Sequence, residues 1–563
     1  METTSIEADV IVVGAGPVGA SLAAELGRRG VRCIVVEMTD GVFRDPRLHA
    51  VSIRTMELAR KWGLTEELRN CGWPADHPQD GAFLTSITGY ELARIEWLPI
   101  SKMVPPPESP TFAQRCPQSW FNPILHRYAG SFESVRFLWQ HKFLTLRQDE
   151  QGVSIDVQSV ESGNVSTLRC KYVVGCDGAR SDVRELLGIE RDSTGIYGYS
   201  AEAIIESREL ADLARPRMAG RYTAVTESGI SATLLPYDGH DRFRVALVAE
   251  PAKCDRARMD EAVLQLVGRK VEYTYLTDVL PWVNRETCAK KFRSGRVFLA
   301  GDAAHTMPPA GGHGMNTGVL DGFDLGWKLA AVLQGWGADA LLDSYEFDRR
   351  KGAARTAAMA AEIYKDWGKV KPDIEKHAAR LNDDTAEGEA ARRYIGDLLI
   401  KTFKREFNST GASIGYRYSG SPVIVDDGSP EPEDDIVRLV PTARPGHRIP
   451  HAWLEDGRST LDLVADVYTL IEIGGDDYSR AFKAAADEKG IPLVIHRVDQ
   501  PGLRELFEAS ALLVRPDQHV AWRAKGEVLN PGTVLDVLTG RAHPSAHGCG
   551  SAKAPILETQ VFI

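Results

Sequence analysis

The chain lacks any C-x-x-C pair. Its eight cysteines, at 33, 71, 116, 170, 176, 254, 288 and 549, are scattered over 563 residues. That pattern excludes a zinc ribbon or dithiol centre and reads as reduced thiols, not a disulfide frame. No stretch approaches the ~18 apolar residues of a membrane span. Residues 1–8 have neither a charged n-region nor an apolar core, so no secretory signal is expected. Basic residues are in deficit: 67 Lys and Arg against 78 Asp and Glu give a net charge of −11 and a pI near 5.8. A nucleic-acid binder would show the opposite balance. With 43% hydrophobic and 26% charged residues, what remains is an ordinary globular chain. It is long enough for about two or three domains, and a cytoplasmic location is expected.

Glycine and proline are concentrated where they matter. The stretch Gly301-Asp302-Ala303-Ala304-His305-Thr306-Met307-Pro308-Pro309-Ala310-Gly311-Gly312-His313-Gly314-Met315-Asn316-Thr317 follows a strand-like run, 296–300, and precedes a helix expected over 319–334. Glycines at that density let backbone approach a bound group. The prolines stiffen the loop, so its remaining N–H groups point in fixed directions. Such a loop at a helix N-terminus suits an anion or a polarised ring. Asp302, at a strand end, can take a ribose or ribityl hydroxyl. The plainer alternative is a Gly/Pro surface loop.

The first residues favour the ligand. A strand over 8–13 runs into Gly14-Ala15-Gly16-Pro17-Val18-Gly19 and then a helix over 20–29. This is G-x-G-x-x-G in its strand–turn–helix context. A second strand, 32–36, ends at Glu37, 23 residues after Gly14, where a ribose-binding carboxylate belongs. Gly14, Gly16, Pro17 and Gly19 are the expected phosphate-loop residues. FAD or NAD satisfies this unit equally.

Arg47, in Asp45-Pro46-Arg47-Leu48-His49, is a candidate for the pyrophosphate or for the edge of the reacting ring. His49 is a candidate general base, with an ordinary pKa near neutrality; a surface-loop histidine is the plainer alternative. A helix is expected from Arg54 to near Gly63. Residues 72–117, rich in Pro and Trp, read as an insertion, and a helix begins at Gln118. Strands over 135–139, 142–146, 153–157 and 168–174 lead to Asp177-Gly178. Arg180 and Arg184 then lie one helical turn apart, placed for the phosphates of a second, transient nucleotide or as surface arginines. Alternating segments over 190–290 predict a mostly antiparallel sheet on the substrate side.

Taken in order, Gly14-x-Gly16-x-x-Gly19 with Glu37, Asp177-Gly178, Gly301-Asp302, Pro308-Pro309 and Gly311-Gly312-x-Gly314-x-Asn316 resemble the class A flavin-dependent aromatic hydroxylases. The stretches around residues 45–49 and 54–57 look like their phenol-hydroxylase branch. The resemblance covers roughly residues 8–350 and implies FAD as cofactor, with NAD(P)H and O2 as co-substrates. It implies that Gln118 contacts the ribityl chain and that Asp302 binds the ribityl and pyrophosphate region. By the same likeness the loop through Pro309, Gly312, Gly314, Met315 and Asn316 holds the isoalloxazine ring, Asp177 begins the strip near the nicotinamide path, and His49 deprotonates a phenol. The oxygen carrier in such enzymes is a C4a-hydroperoxyflavin, and the nicotinamide binds transiently, which fits the lack of a second dinucleotide-binding unit. Three positions depart from the family pattern: Asn122 stands for an acid, Asp324 for an asparagine, and His313 for Gln or Leu.

Helices are expected over 353–367 and 384–403; apolar runs at 461–464 and 467–473 precede a helix expected over 477–489, and strands are expected over 493–495, 511–517 and 520–523. The last unit resembles a thioredoxin-like domain without its cysteines, suited to packing or dimer support. The expected fold is α/β: a Rossmann-like FAD-binding domain in three pieces (1–75, 117–189, 291–405), a substrate-side insertion (76–116), an antiparallel substrate sheet (190–290), a linker (406–445) and the thioredoxin-like domain (446–563). The expected activity is hydroxylation of a small phenolic ring by a homodimer with no metal, membrane or nucleic-acid partner. The alternatives are the same chemistry on a larger polyketide-like or heteroaromatic ring, a flavin reductase or oxidase without oxygen insertion, and a non-catalytic flavin-fold binding protein.

Overall fold

The structure is a computed structural model that describes residues 6–44, 50–227, 229–248, 255–475, 477–525 and 530–542. Arg47 and His49 lie outside the described residues.

A parallel sheet forms the base. β1 (Ala8–Val13) is flanked by β2 (Cys33–Val36), with α1 (Pro17–Arg28) crossing between them. Every residue of β2 is buried, as its unbroken apolar run requires. Next come α2 (Ile53–Trp62), α3 (Gln118–Gly130), β3 (Val165–Gly175) and β4 (Val297–Leu299). The sheet order is Arg293–Ser294, β4, β3, β1, β2, Val135–Leu138, so three distant pieces of chain meet side by side. α4 (His313–Leu333) lies across α1, and α5 (Asp339–Lys369) follows. α4 begins six residues before the expected start, because Gly312, at φ +67°, caps it from inside the loop. α5 is one helix where a shorter one was expected.

The α1–α4 contact explains a run of small residues. A Cβ on Gly318 would sit 2.6 Å from Val18 Cγ2, one on Gly322 3.0 Å from the Val18 carbonyl, and one on Gly326 2.7 Å from Glu25 Cβ. Glycine at every fourth position leaves one face of α4 bare, and the two backbones close together.

A nine-stranded sheet forms the second layer. Its core is the antiparallel series Leu280–Ala289, Arg191–Glu206, Arg242–Val248, Gly229–Pro236 and Arg221–Thr226. The insertion joins it: Gly81–Leu84 pairs parallel with Arg221–Thr226, and Glu91–Ile95 extends the edge. At the other edge His305–Thr306, from the Gly/Pro loop, pairs with Leu280–Ala289. The loop therefore belongs to both layers.

The C-terminal unit is a four-stranded mixed sheet in the order Leu493–Val498, Tyr468–Ile473, Ala511–Val514, Val520–Arg523, with helices Tyr478–Lys489 and Pro531–Leu538. Residues Thr460–Leu463, overlapping the apolar run at 461–464, form a 3-10 turn, because Ser459 and Asp462 make a capping box. The expected linker is also packed: it includes a short helix, Thr410–Ile414, and buries Tyr416 and Tyr418. Trp327 and Trp336 enter the C-terminal core with Tyr468 and Trp522.

Ion pairs without solvent access bind this unit to α4 and α5. Arg515 donates to Asp324 and Asp348, each at 2.8 Å, while Lys328 holds the same two carboxylates at 2.8 and 3.0 Å. Asp517 also takes the Arg515 guanidinium, at 2.7 Å. Asp324, the departure from the family's asparagine, is thus a docking residue for the last domain. Close by, Arg54 and Arg448 both hold Glu57 on α2, and Arg54 reaches the Asp517 carbonyl at 2.7 Å.

Candidate active site

The C-terminal ends of β1, β2, β3 and β4 converge on one crevice, where α/β sheets bind ligands. Gly14 stands at φ +102°, and its N–H closes on the Val36 carbonyl at 2.8 Å. A Cβ there would meet the Cys176 carbonyl oxygen at 2.6 Å, and one on Gly19 would lie 1.9 Å from the Gly14 oxygen. Gly16 differs: a Cβ on it would meet nothing within 4 Å. Gly14 and Gly19 are required by the protein's own packing, whereas Gly16 faces a space left for something else. Gly16 is also the N-cap of α1, with no side-chain cap and no acid in the first turn. The helix presents bare N–H groups to that space beside Pro17, the arrangement a pyrophosphate needs.

Glu37 ends β2 beside this turn, accepting from the Ala15 N–H at 2.8 Å and from Thr39 at 2.8 and 2.9 Å. Asp177 follows β3. One of its oxygens accepts the Val183 N–H at 3.0 Å, and the other is buried without a partner among the described residues. Burial raises its pKa above the usual carboxylate range. Asp302 lies in the turn Gly301–Ala303 that follows β4. Gln118 opens α3, buried, with no side-chain hydrogen bond among the described residues. Asn122, one turn further along α3, has a buried Oδ1 with no partner among the described residues. An open glycine cradle, uncapped helix amides and unspent polar atoms fit an extended dinucleotide with hydroxyls along its length.

The Gly/Pro loop completes the crevice. Pro309 is exposed, Gly311 and Gly312 are both left-handed, and α4 starts without a side-chain cap. Gly314 and Met315 fall in its first turn, with Met315 packed against a buried cluster that includes Trp62 and Phe121. The Asn316 side chain is fully engaged by three backbone groups and one hydroxyl. Its Oδ1 accepts from the Ser52 N–H at 2.9 Å and the Thr55 hydroxyl at 2.8 Å, and its Nδ2 donates to the carbonyls of Ala50 and Gly312 at 3.2 and 2.8 Å. Asn316 therefore fixes the loop against the segment that follows His49. His313 is buried, and burial, with Arg355 nearby, pushes its pKa down to about 4, so it is neutral at pH 7.

Two residues that the sequence reading missed hold the Asp302 turn. Asp321 on α4 accepts the Gly301 N–H at 2.9 Å, His305 at 2.7 Å and Arg349 of α5 at 2.7 Å. Burial alone would raise the Asp321 pKa, but His305 and Arg349 outweigh it and hold the carboxylate below its usual range. The sequence signal was an acid on an otherwise apolar helix face, with an arginine 28 residues on. Arg184 is buried, donating to the Ala303 carbonyl at 3.4 Å, while Arg180 is exposed, so the paired-arginine phosphate site does not form as one cluster. No cluster of metal-ligating side chains occurs among the described residues, and no helix among them is long and apolar enough to cross a membrane.

Comparison with known proteins agrees with this geometry. The FAD binding domain family matches residues 7–360, and the family of aromatic-ring hydroxylase C-terminal domains matches 442–542. Aklavinone 12-hydroxylase RdmE of Streptomyces purpurascens is 33% identical, with 94% of this chain and 98% of that protein covered. The 2,4-dichlorophenol 6-monooxygenase of Delftia acidovorans is 30% identical over 93% of this chain and 96% of its own. Among solved structures, the rebeccamycin biosynthetic enzyme RebC with reduced flavin superposes with a TM-score of 0.87 at 33% identity, covering 96% of this chain and all of that one.

Proposed function

This chain belongs to the class A FAD-dependent aromatic hydroxylases, and we propose that it hydroxylates a phenolic ring, ortho to the existing hydroxyl, with NAD(P)H and O2 as co-substrates. The observation that carries the proposal is the crevice itself: four strand ends, a glycine with nothing beside it, and a stiff loop that belongs to both the nucleotide layer and the substrate layer. FAD, when bound, would pass electrons from the nicotinamide to oxygen and supply one oxygen atom to the ring. The chain's part is to bind, orient and exclude water. The α1 amides and Gly16 take the pyrophosphate, Glu37 takes the ribose, and Asp302 and Gln118 take the ribityl chain. Pro309, Gly312, Gly314 and Met315 bed the ring, with Asn316 holding their loop in place. Asp177 borders the nicotinamide path. His49 removes the phenolic proton, since a phenolate is the better nucleophile and a base near pKa ~6.5 suits neutral pH. The protein works in the cytoplasm as a homodimer.

A larger polyketide-like ring is the second reading, favoured by the relative that acts on aklavinone. The test is NAD(P)H oxidation by the FAD-loaded protein against simple phenols and fused-ring phenols, with product and peroxide assayed together. Coupled turnover with a simple phenol supports the first reading, and coupled turnover with fused rings alone supports the second. Peroxide without product across both sets, or purified protein without flavin, overturns the proposal.

A further inference from the structure

Among the described residues, no carboxylate neutralises the charge of Arg115. It forms, with Gln114, a short strand paired to Ala50–Val51, and stands three residues before Gln118. Asn316 ties the Ala50 carbonyl to the Gly/Pro loop, so Arg115 sits between the expected ring site and the nine-stranded sheet. Its backbone carbonyl is used, accepting from the Gln114 amide at 3.0 Å and the Cys71 thiol at 3.4 Å. Its guanidinium makes no hydrogen bond and no ion pair among the described residues. Two arginines of the sheet domain show the usual arrangement, Arg221 with Glu406 and Arg244 with Glu202.

Among the described residues, Arg115 faces aromatic and cationic groups. The Trp73 ring centroid lies 5.9 Å from its Cζ, and His77 is 5.1 Å from Trp73, ring to ring. Burial, and then Arg221, push the Arg115 pKa down to about 10, with no carboxylate among the described residues opposing them. His77 is buried; its Nδ1 meets the Pro78 carbonyl at 2.7 Å, and it too is disfavoured as a cation, by burial and by Arg115. On the facing side Tyr237, just past strand Gly229–Pro236, donates its hydroxyl to Ser119 at 2.9 Å.

Arg115 is half-buried, and a partly desolvated guanidinium without a counter-charge lowers stability. Its planar fork matches a carboxylate through two parallel hydrogen bonds, and the Trp73 face beside it suits an aromatic ring. We propose that Arg115 anchors a carboxylate on the substrate, so that the ring hydroxylated here belongs to an aromatic hydroxy acid. The proposal rests on the hydroxylase reading and narrows its substrate class.

The holoenzyme is titrated with 1-hydroxy-2-naphthoate and with its neutral amide, 1-hydroxy-2-naphthamide, following the absorbance of the bound flavin. Wild type is compared with Arg115→Gln and Arg115→Lys. The expected result is a preference for the acid of about tenfold or more, the size of one charge-assisted contact. The preference is lost in Arg115→Gln and partly kept in Arg115→Lys. Equal binding of acid and amide by wild type, a preference that survives in Arg115→Gln, or no binding of either compound overturns the proposal.

A second measurement needs no ligand. Ligand-free Arg115→Met should melt about 1 °C or more above wild type, because it removes an uncompensated, half-buried charge. A lower melting temperature would mean that the guanidinium is a structural partner, and the proposal fails. If flavin is bound and neutral phenols are hydroxylated without any preference for acids, Arg115 is not an anchor and the hydroxylase reading stands. If no flavin is bound, the hydroxylase reading itself falls.

Discussion

Replacing Arg515 by methionine tests how the C-terminal domain is held to the flavin domain. The guanidinium has no exposed surface and makes four contacts, to Asp348 and Asp324 at 2.8 Å each and to Asp517 at 2.7 and 3.1 Å. In the native cluster two cations, Lys328 and Arg515, face three carboxylates. The variant leaves Lys328 alone with all three. Removing one partner from a buried pair costs about 3–5 kcal/mol, and the cost should depend on pH. Burial pushes Asp324 up to about 6 from an ordinary 3.8, and Arg515 is one of the cations opposing that rise. A carboxyl with a raised folded pKa gives stability that is full below its unfolded pKa and is lost as pH rises through the folded value. Without Arg515 the folded pKa climbs further, so the deficit should grow from pH 5 to pH 8. Denaturant unfolding at both pH values, followed by the fluorescence of buried Trp327, which lies 5.4 Å from Arg515, reads it out. A loss below about 1 kcal/mol at pH 8, or an equal loss at both pH values, would refute the idea that this cluster is held by charge balance.

Three further outcomes are expected. Gly16→Ala should fold normally yet lose FAD about tenfold or more, as seen by flavin retention on dialysis, whereas Gly19→Ala should fail to fold around its turn, because its Cβ has only 1.9 Å to the Gly14 oxygen. Asp321→Asn should cost about 3–5 kcal/mol and flatten the acid limb of the stability profile; the Asp321 pKa is depressed, so its contribution is present above the unfolded pKa and lost as pH falls through the folded one. His49→Ala should slow hydroxylation about 10²–10⁴-fold while FAD content and flavin reduction by NAD(P)H stay at wild-type values, measured by rapid mixing under anaerobic conditions.

The nucleotide half of this protein was legible because its constraints are local. Strand, turn, helix and acid lie within residues 8–37, where Gly14 and Gly19 answer close approaches of the fold and Gly16 keeps a space open. The Gly/Pro loop announced itself for the same reason. The substrate sheet was legible in outline, because alternation marks a sheet with one buried face. Misjudgements fell where one residue changed the local answer. Gly312 started α4 early by adopting a left-handed cap, and the capping box at Ser459 set the apolar run at 461–464, left without an assigned element, as a 3-10 turn.

What the sequence could not carry is pairing over long distances. Asp321 with Arg349, and Asp324 with Arg515, are separated by 28 and 191 residues, and no spacing rule links them. The packed state of residues 406–445, with buried Tyr416 and Tyr418, is likewise a property of the surfaces they cover and not of their Pro-rich, acidic composition. The unpaired charge of Arg115 is the clearest case: a sequence shows an arginine, while only the tertiary structure shows that no carboxylate among the described residues comes to meet it. Backbone conformation and motif chemistry were set by neighbours along the chain, and so were fixed by the amino-acid order. The electrostatic balance of each buried group was set by neighbours in space, which exist only once three separate pieces of chain have come together in one sheet.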